Sequence, residues 1–149
     1  MPLLVNPVTS IPPNPAQRDP MLQTLMALPA AGAGNSHASL DLGTSGTAVY
    51  PSNQRIALEI ALPATPSLAD TKTATLTISD SADNVTFAPI PQLAPVVATG
   101  AGGAGAAAQT VVFPLPGTTR RYLRVDQAVA AAGGNNTAVV AAVQLLVLL

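Results

Sequence analysis

Few residues of this chain are of types that carry out catalysis, and their spacing matches no catalytic arrangement. His37 is the only histidine, and its polar neighbours predict a solvated loop side chain. Gly43-Thr-Ser-Gly-Thr47 places a serine near two glycines, but a nucleophile elbow needs its second glycine one residue later. The seven acidic residues are scattered, so no pair of groups can be assigned acid and base roles. We therefore predict that the protein is not an enzyme.

Asp80, Asp83 and Asn84 carry oxygens of the kind that bind calcium. They lack the alternating ligands and the distant bidentate glutamate of a calcium loop, and such residues also close turns by bonding to their own backbone. A turn is the favoured interpretation. The absence of cysteine excludes disulfides and thiolate metal sites. We expect neither a metal nor a cofactor.

The segment around Tyr122 contains three of the six basic residues of the chain. On a strand, Arg120, Tyr122, Arg124 and Asp126 would share one face, while Arg121 would lie on the other face with Leu123 and Val125. Three interpretations stay open. In the first, Arg124 pairs with Asp126 or with an acid on the next strand. In the second, residues 120–124, which we call the arginine stripe, contact another protein. In the third, the arginine stripe stacks on single-stranded nucleic acid.

Overall composition favours a subunit of an assembly. Charged residues make up 9% of the 149 residues, against about 25% in ordinary soluble domains. The net charge of −1 provides no basic field for nucleic acid. No apolar run reaches the roughly 18 residues of a helical membrane span. We expect no nucleic-acid or membrane partner.

The pattern along the chain predicts an extended arm followed by one all-β domain. Seven of the fifteen prolines fall in the first 29 positions, so residues 1–37 are predicted to be a Pro-rich arm with a short helical turn near 22–28. Apolar and polar residues alternate over 56–62 and 73–78, as in half-buried strands. Further strands are predicted at about 47–50, 85–90, 109–115, 120–126 and 137–148. Residues 38–149 are therefore predicted to form an antiparallel β-sandwich.

The last predicted strand, 137–149, is apolar on both faces apart from Gln144. One interpretation is a central strand whose second face lies under a loop or the arm, because an uncovered apolar edge would aggregate. The other interpretation is that its second face meets another subunit.

Two segments resemble the capsid cement, or decoration, proteins of tailed bacteriophages. The first is Ser81-Ala-Asp-Asn-Val-Thr-Phe87, a turn after a strand. The second is Leu115-Pro-Gly-Thr-Thr-Arg-Arg-Tyr-Leu-Arg124, one residue shorter than the segment of the family. With the final apolar strand, the resemblance covers about residues 38–149. The Pro-rich arm departs from the shorter amino-terminal segments of the family.

The resemblance implies a jelly-roll-like β-sandwich that forms a homodimer or homotrimer on the outer surface of the virion capsid. There it would bridge major capsid protein subunits of the expanded head and stabilise the shell. The alternative is a carbohydrate-binding or tail-associated β-sandwich module, against which the scarcity of aromatic residues counts. The expected contact residues lie in the arm, in the arginine stripe and in the last strand: Leu3, Leu4, Val5, Val8, Arg120, Tyr122, Arg124, Leu146 and Leu148.

Overall fold

The computed structural model describes residues 16–43 and 55–148, and these form an antiparallel β-sandwich. Sheet A has four strands, in the spatial order β1 (Ala16–Ala27), β10 (Val140–Leu148), β4 (Arg55–Leu62) and β8 (Gln109–Pro114). Sheet B has six strands, with β2 (Gly34–Ser36), β9 (Tyr122–Val129), β5 (Thr73–Ser81) and β6 (Ala88–Pro89) in order, β3 (Leu40–Asp41) also on β9 and β7 (Val96–Thr99) also on β5. The predicted all-β sandwich is confirmed.

The core lies between the two sheets and follows from the period of two in β4 and β5. Leu58 and Ile60 of sheet A and Leu76 and Ile78 of sheet B are all buried in one hydrophobic cluster. Burial of each such side chain contributes about 1.5–3 kcal/mol of transfer free energy. Because residues alternate between the faces of a strand, the positions between these residues form the two outer faces of the sandwich.

The amino-terminal segment differs from its prediction. Residues 16–27 form β1, which pairs with β10 along sheet A, so part of the predicted arm belongs to the sandwich. The prediction of a short helical turn near 22–28 is wrong, because residues 16–27 form a strand. Proline is tolerated because β1 is the end strand of the described sheet and Pro20 falls in a register shift between Arg18 and Gln23, the sites where a strand accepts a missing donor.

Other strands follow the sequence pattern with local differences. The predicted strand 85–90 is reduced to the two residues of β6, because Val85 and Thr86 belong to the turn that follows β5. The predicted strand 47–50 lies outside the described residues. The last strand, β10, lies between β1 and β4. This is the central position that one of the two interpretations of residues 137–149 predicted. In the described part of the chain there is no helix long and apolar enough to cross a membrane.

Candidate functional site

The turn after β5 uses its acidic side chain to hold its own backbone. The Asp83 carboxylate accepts hydrogen bonds from the backbone N–H groups of Val85 and Thr86, both at 2.9 Å. The Ser81 hydroxyl donates to the same carboxylate and accepts from the Asn84 N–H at 3.0 Å. These bonds, led by those from the backbone of Thr86 and Val85, lower the pKa of Asp83 to about 2. The turn interpretation is therefore confirmed, and the described residues contain no cluster of three metal-binding side chains.

Arg120 is bound to Asp80, a buried residue near the end of β5. The guanidinium donates to one carboxylate oxygen through Nε at 2.9 Å and through Nη2 at 2.6 Å. The backbone N–H of Arg120 donates to the other oxygen at 2.9 Å. Two charge-assisted bonds to one oxygen and a backbone bond to the other fix the geometry of both partners. Arg120 therefore joins the segment before β9 to the end of β5.

Arg121 is bound to Asp41 of β3 at the surface of sheet B. Its Nε and Nη2 donate to the two carboxylate oxygens at 2.7 and 2.8 Å. Hydrogen bonds from Arg121, followed by that from the Gly43 N–H, lower the pKa of Asp41 to about 2. The guanidinium also lies 4.9 Å from the ring centre of Tyr122. Arg121 does not follow Leu123 into the core, because it precedes β9 and is held outside by Asp41 and Tyr122.

Arg124 lies on the outer face of β9, stacked on the first resemblance segment. Its guanidinium is 4.0 Å from the ring centre of Phe87, and its Nε is 2.7 Å from an oxygen of Asp126. The hydroxyls of Ser36 and Ser79 donate to the two oxygens of the same carboxylate at 2.6 and 2.8 Å. The predicted pairing of Arg124 with Asp126 is confirmed, as is their shared face with Tyr122.

These contacts explain what the arginine stripe does within the fold. Each of its three arginines holds a carboxylate of the same chain, so the segment presents compensated charge and not the open basic surface that nucleic acid requires. The two resemblance segments are joined by the contact of Arg124 with Phe87. The sequence indicated an ion pair between Arg124 and Asp126, as one interpretation, because the two residues are close in the chain. The partners of Arg120 and Arg121 lie 40 and 80 residues away.

The other expected contact residues occupy different positions. Leu3, Leu4, Val5 and Val8 lie outside the described residues. Leu148 ends β10, and only its backbone is described. Leu146 is 3% exposed, so it is buried within the chain and is not an accessible contact residue.

The outer face of sheet A, which the sequence did not single out beyond β10, has an apolar end next to a polar row of Gln23, Gln144 and Glu59. The register sets Leu25 beside Ala142 and Ala61, and places Ala27 beside Val140. Leu25 is 60% exposed and Val140 is 44% exposed. Val112 of β8, which is also exposed, lies on the same face beside Glu59.

Burial changes along this outer face. Ala57 and Leu146 are neighbours at one end, and they are 0% and 3% exposed although neither belongs to the core cluster. Leu25 and Val140 lie toward the other end and remain accessible. Within the described strands, the register places three ionisable residues on this face: Arg18 and Arg55 at the positions beside Leu146 and Leu148, and Glu59 beside Gln144. Glu59 is half-buried and has a partner. The end of the face around Leu25 and Val140 carries no ionisable residue in this register, so this exposed end is neutral.

His37 is buried, at 2% exposure, so the prediction of a solvated histidine is wrong. It follows β2, and its backbone N–H donates to Val125 O at 2.9 Å. Its ring Nε2 is 3.1 Å from the side-chain oxygen of Gln127. Its polar neighbours Asn35 and Ser36 pair with β9, and Asn35 donates to the carbonyl of Ala27 at the end of β1.

Comparison with known protein families gives one match. A family model described as Bbp16 matches residues 27–143, more than three quarters of the chain. The name suggests a phage-related family. No curated protein matches the sequence.

Proposed function

The chain belongs to the Bbp16 family, and from this premise we propose that it is a capsid cement protein of a tailed bacteriophage. It binds the outside of the expanded head as a homodimer or homotrimer and bridges major capsid protein subunits. No bond is made or broken in this role. The observation that carries the proposal is the neutral, exposed end of the outer face of sheet A, in a member of a phage-related family.

The exposed part of this face supports contact with a capsid subunit. Leu25 and Val140 are apolar and accessible, and Ala142 and Ala61, which follow Leu25 across the next two strands, provide a shallow surface against which a partner can pack. A buried charge without a partner costs several kcal/mol, so the matching surface on the capsid subunit is neutral and apolar. Binding through this face would therefore depend little on salt.

The arginine stripe supports the same role indirectly. Arg120, Arg121 and Arg124 hold the turn and the strand ends of sheet B in place, so we assign them to the shape of the domain first. Tyr122 and the exposed parts of the three arginines border one end of sheet B and remain available as peripheral contacts. The segment Leu3–Val8 is retained as a proposed contact, and its deletion should weaken capsid binding.

A cement protein stabilises the shell by mass action. A subunit that binds only where expanded capsid subunits meet shifts the equilibrium toward the intact shell. Repetition of the same site over the lattice, together with an oligomeric state of two or three, raises the effective affinity. Each bridge then resists the outward pressure of the packed genome.

The carbohydrate-binding alternative gains no support from the three aromatic residues that the structure describes. Sugar platforms are exposed aromatic rings. Phe87 and Tyr122 are half-buried and already hold Arg124 and Arg121 on their ring faces. Phe113 is half-buried against the core cluster.

The proposal is tested by measuring the amount of this chain in purified virions relative to the major capsid protein. Quantitative mass spectrometry with isotope-labelled peptides from both proteins gives the ratio directly. We expect one copy per capsid subunit or a simple fraction such as one third. A few copies per particle would instead place the protein at the tail or portal, and its absence from virions would contradict the proposal.

A further inference from the structure

The side chains around His37 connect the two sheets. Gln127 of β9 donates from its amide nitrogen to the carbonyl of Ala27 at 3.0 Å and to the side-chain oxygen of Asn35 at 2.8 Å. Asn35 of β2 donates to the same Ala27 carbonyl at 2.9 Å. Ala27 is the last residue of β1 in sheet A, whereas Gln127 and Asn35 belong to sheet B. We call His37, Asn35, Gln127 and Ala27 the seam cluster.

The seam cluster fixes the protonation of the imidazole. Because the amide nitrogen of Gln127 is occupied by Ala27 and Asn35, its oxygen faces His37 and requires a donor. The ring Nε2, at 3.1 Å, must therefore carry the hydrogen. The other nitrogen, Nδ1, has no partner with hydrogen-bond geometry within residues 16–43 and 55–148, although the Thr24 backbone is close enough to act on the ring.

A second proton would place a positive charge in this buried cluster. Burial is the main cause that lowers the pKa of His37, while Gln127, the Thr24 backbone and the charge of Asp126 act in the opposite direction. Asp126 is already paired with Arg124 and accepts from two serines. Asp41 of β3, the nearest element after His37, is paired with Arg121. The charged form therefore lacks a carboxylate of its own among the described side chains.

We propose that His37 is an acid-sensitive lock on β1. The cost of the buried positive charge disappears when the imidazole reaches water. For this the seam cluster must open, and the Ala27 carbonyl must lose its bonds to sheet B. β1 is the end strand of the described sheet A, so its Ala27 end can separate without breaking another strand pair. This inference is independent of the proposed function.

The sign of the pH dependence follows from linkage. The folded protein binds the proton less readily than the unfolded chain, whose histidine has its ordinary pKa near 6.5. The closed seam is fully stable above that pH and loses stability as the pH falls toward the lowered pKa of His37. One proton changes the opening equilibrium by up to about tenfold per pH unit in this range.

The test is an NMR titration of the full chain between pH 7.5 and 5. His37 is the only histidine, so its imidazole resonance needs no assignment by mutation. Amide hydrogen exchange, corrected for intrinsic rates, is measured in β1 at Thr24–Leu28 and in β5 at Leu76–Ile78. We expect His37 to titrate below pH 6.5 and protection in β1 to fall by up to about tenfold per pH unit, with β5 unchanged.

The matched control is His37→Gln, whose terminal amide can donate to Gln127 and does not titrate. Its β1 protection should be independent of pH between 7 and 5, where Asp41 and Asp83, with pKa values of about 2, do not titrate. A titration of His37 at or above pH 6.5 would overturn the inference, and so would equal losses in β1 and β5. These two results need only the natural chain, so they decide the question even if the variant does not fold. A variant that keeps the pH dependence would also overturn it.

Discussion

The outer faces of the two sheets differ although both are built from alternating strands. On sheet B, the outward positions of β5 carry Thr73, Thr75 and Thr77, and those of β9 carry Arg124 paired with Asp126. On sheet A, the outward positions include Leu25, Ala142, Val140 and Leu146. The face of sheet B is polar with its charges paired inside the chain, whereas the face of sheet A has an apolar, partly exposed end beyond the polar row of Gln23, Gln144 and Glu59.

The difference shows which surface the fold leaves incomplete. A polar outer face whose groups bond to water and to one another needs no cover. An outer face that is buried around Leu146 but has an exposed apolar end around Val140 is stable in water only at a cost, and such surfaces mark interaction sites. Paired charge on sheet B therefore indicates structure, whereas exposed neutral surface on sheet A indicates a partner.

The largest predicted effect tests the covered end of sheet A. Leu146→Ala should lower the free energy of unfolding by about 2–4 kcal/mol, because it removes a buried side chain and leaves a cavity. Val97→Ala on sheet B, where Val97 is 44% exposed, should cost less than about 1 kcal/mol. Chemical denaturation of both variants gives the comparison. Equal costs would mean that the outer faces do not differ in burial.

The next effect separates two arginines of sheet B. Arg120→Ala should cost about 2 kcal/mol, because it leaves the buried Asp80 carboxylate without the guanidinium that pairs with it. Arg121→Ala should cost less than Arg120→Ala, since the side chains of Arg121 and Asp41 are 38% and 46% exposed and surface pairs contribute little. Urea unfolding at pH 7 measures both. A larger loss for Arg121→Ala would contradict the structural role given to Arg120.

The smallest effect is the acid dependence of the sheet B surface. The pKa of Asp41 is lowered to about 2 mainly by Arg121, so its stabilisation is present above the unfolded pKa near 3.8 and is lost as the pH falls from about 4 to 2. The loss should stay below about 1 kcal/mol because the pair is exposed. Thermal unfolding of wild type and Asp41→Asn over this range measures it. Wild type and variant with the same acid slope would contradict the assignment.

The fold could be predicted largely because the informative pattern is local. Alternation in β4 and β5 identified the inward residues, and an apolar run on both faces made a central position of β10 one of the interpretations. β1 was missed because proline rules describe isolated strands, whereas its pairing with β10 and a register shift at Pro20 accommodate the proline. The strand conformation of residues 16–27 therefore depends on tertiary pairing with β10 and not on the local sequence alone.

The site was less predictable because its contacts are distant in sequence. Arg124 and Asp126 are two residues apart, and their pairing was among the interpretations that the sequence left open. Asp80 and Asp41 become partners of Arg120 and Arg121 only when β5 and β3 pair with β9. His37 has polar neighbours, so its burial beside Gln127, 90 residues away, has no local indication.

The central claim is that the outer face of sheet A binds the capsid, and a pair of valines tests it most directly. Val140 on sheet A and Val97 on sheet B are both 44% exposed, so Val140→Lys and Val97→Lys make the same chemical change on opposite faces. Binding of each folded variant to expanded capsids is measured by co-sedimentation at two salt concentrations. The account predicts that Val140→Lys weakens binding at least tenfold while Val97→Lys binds like wild type. Equal binding by both variants, or a loss confined to Val97→Lys, would contradict it.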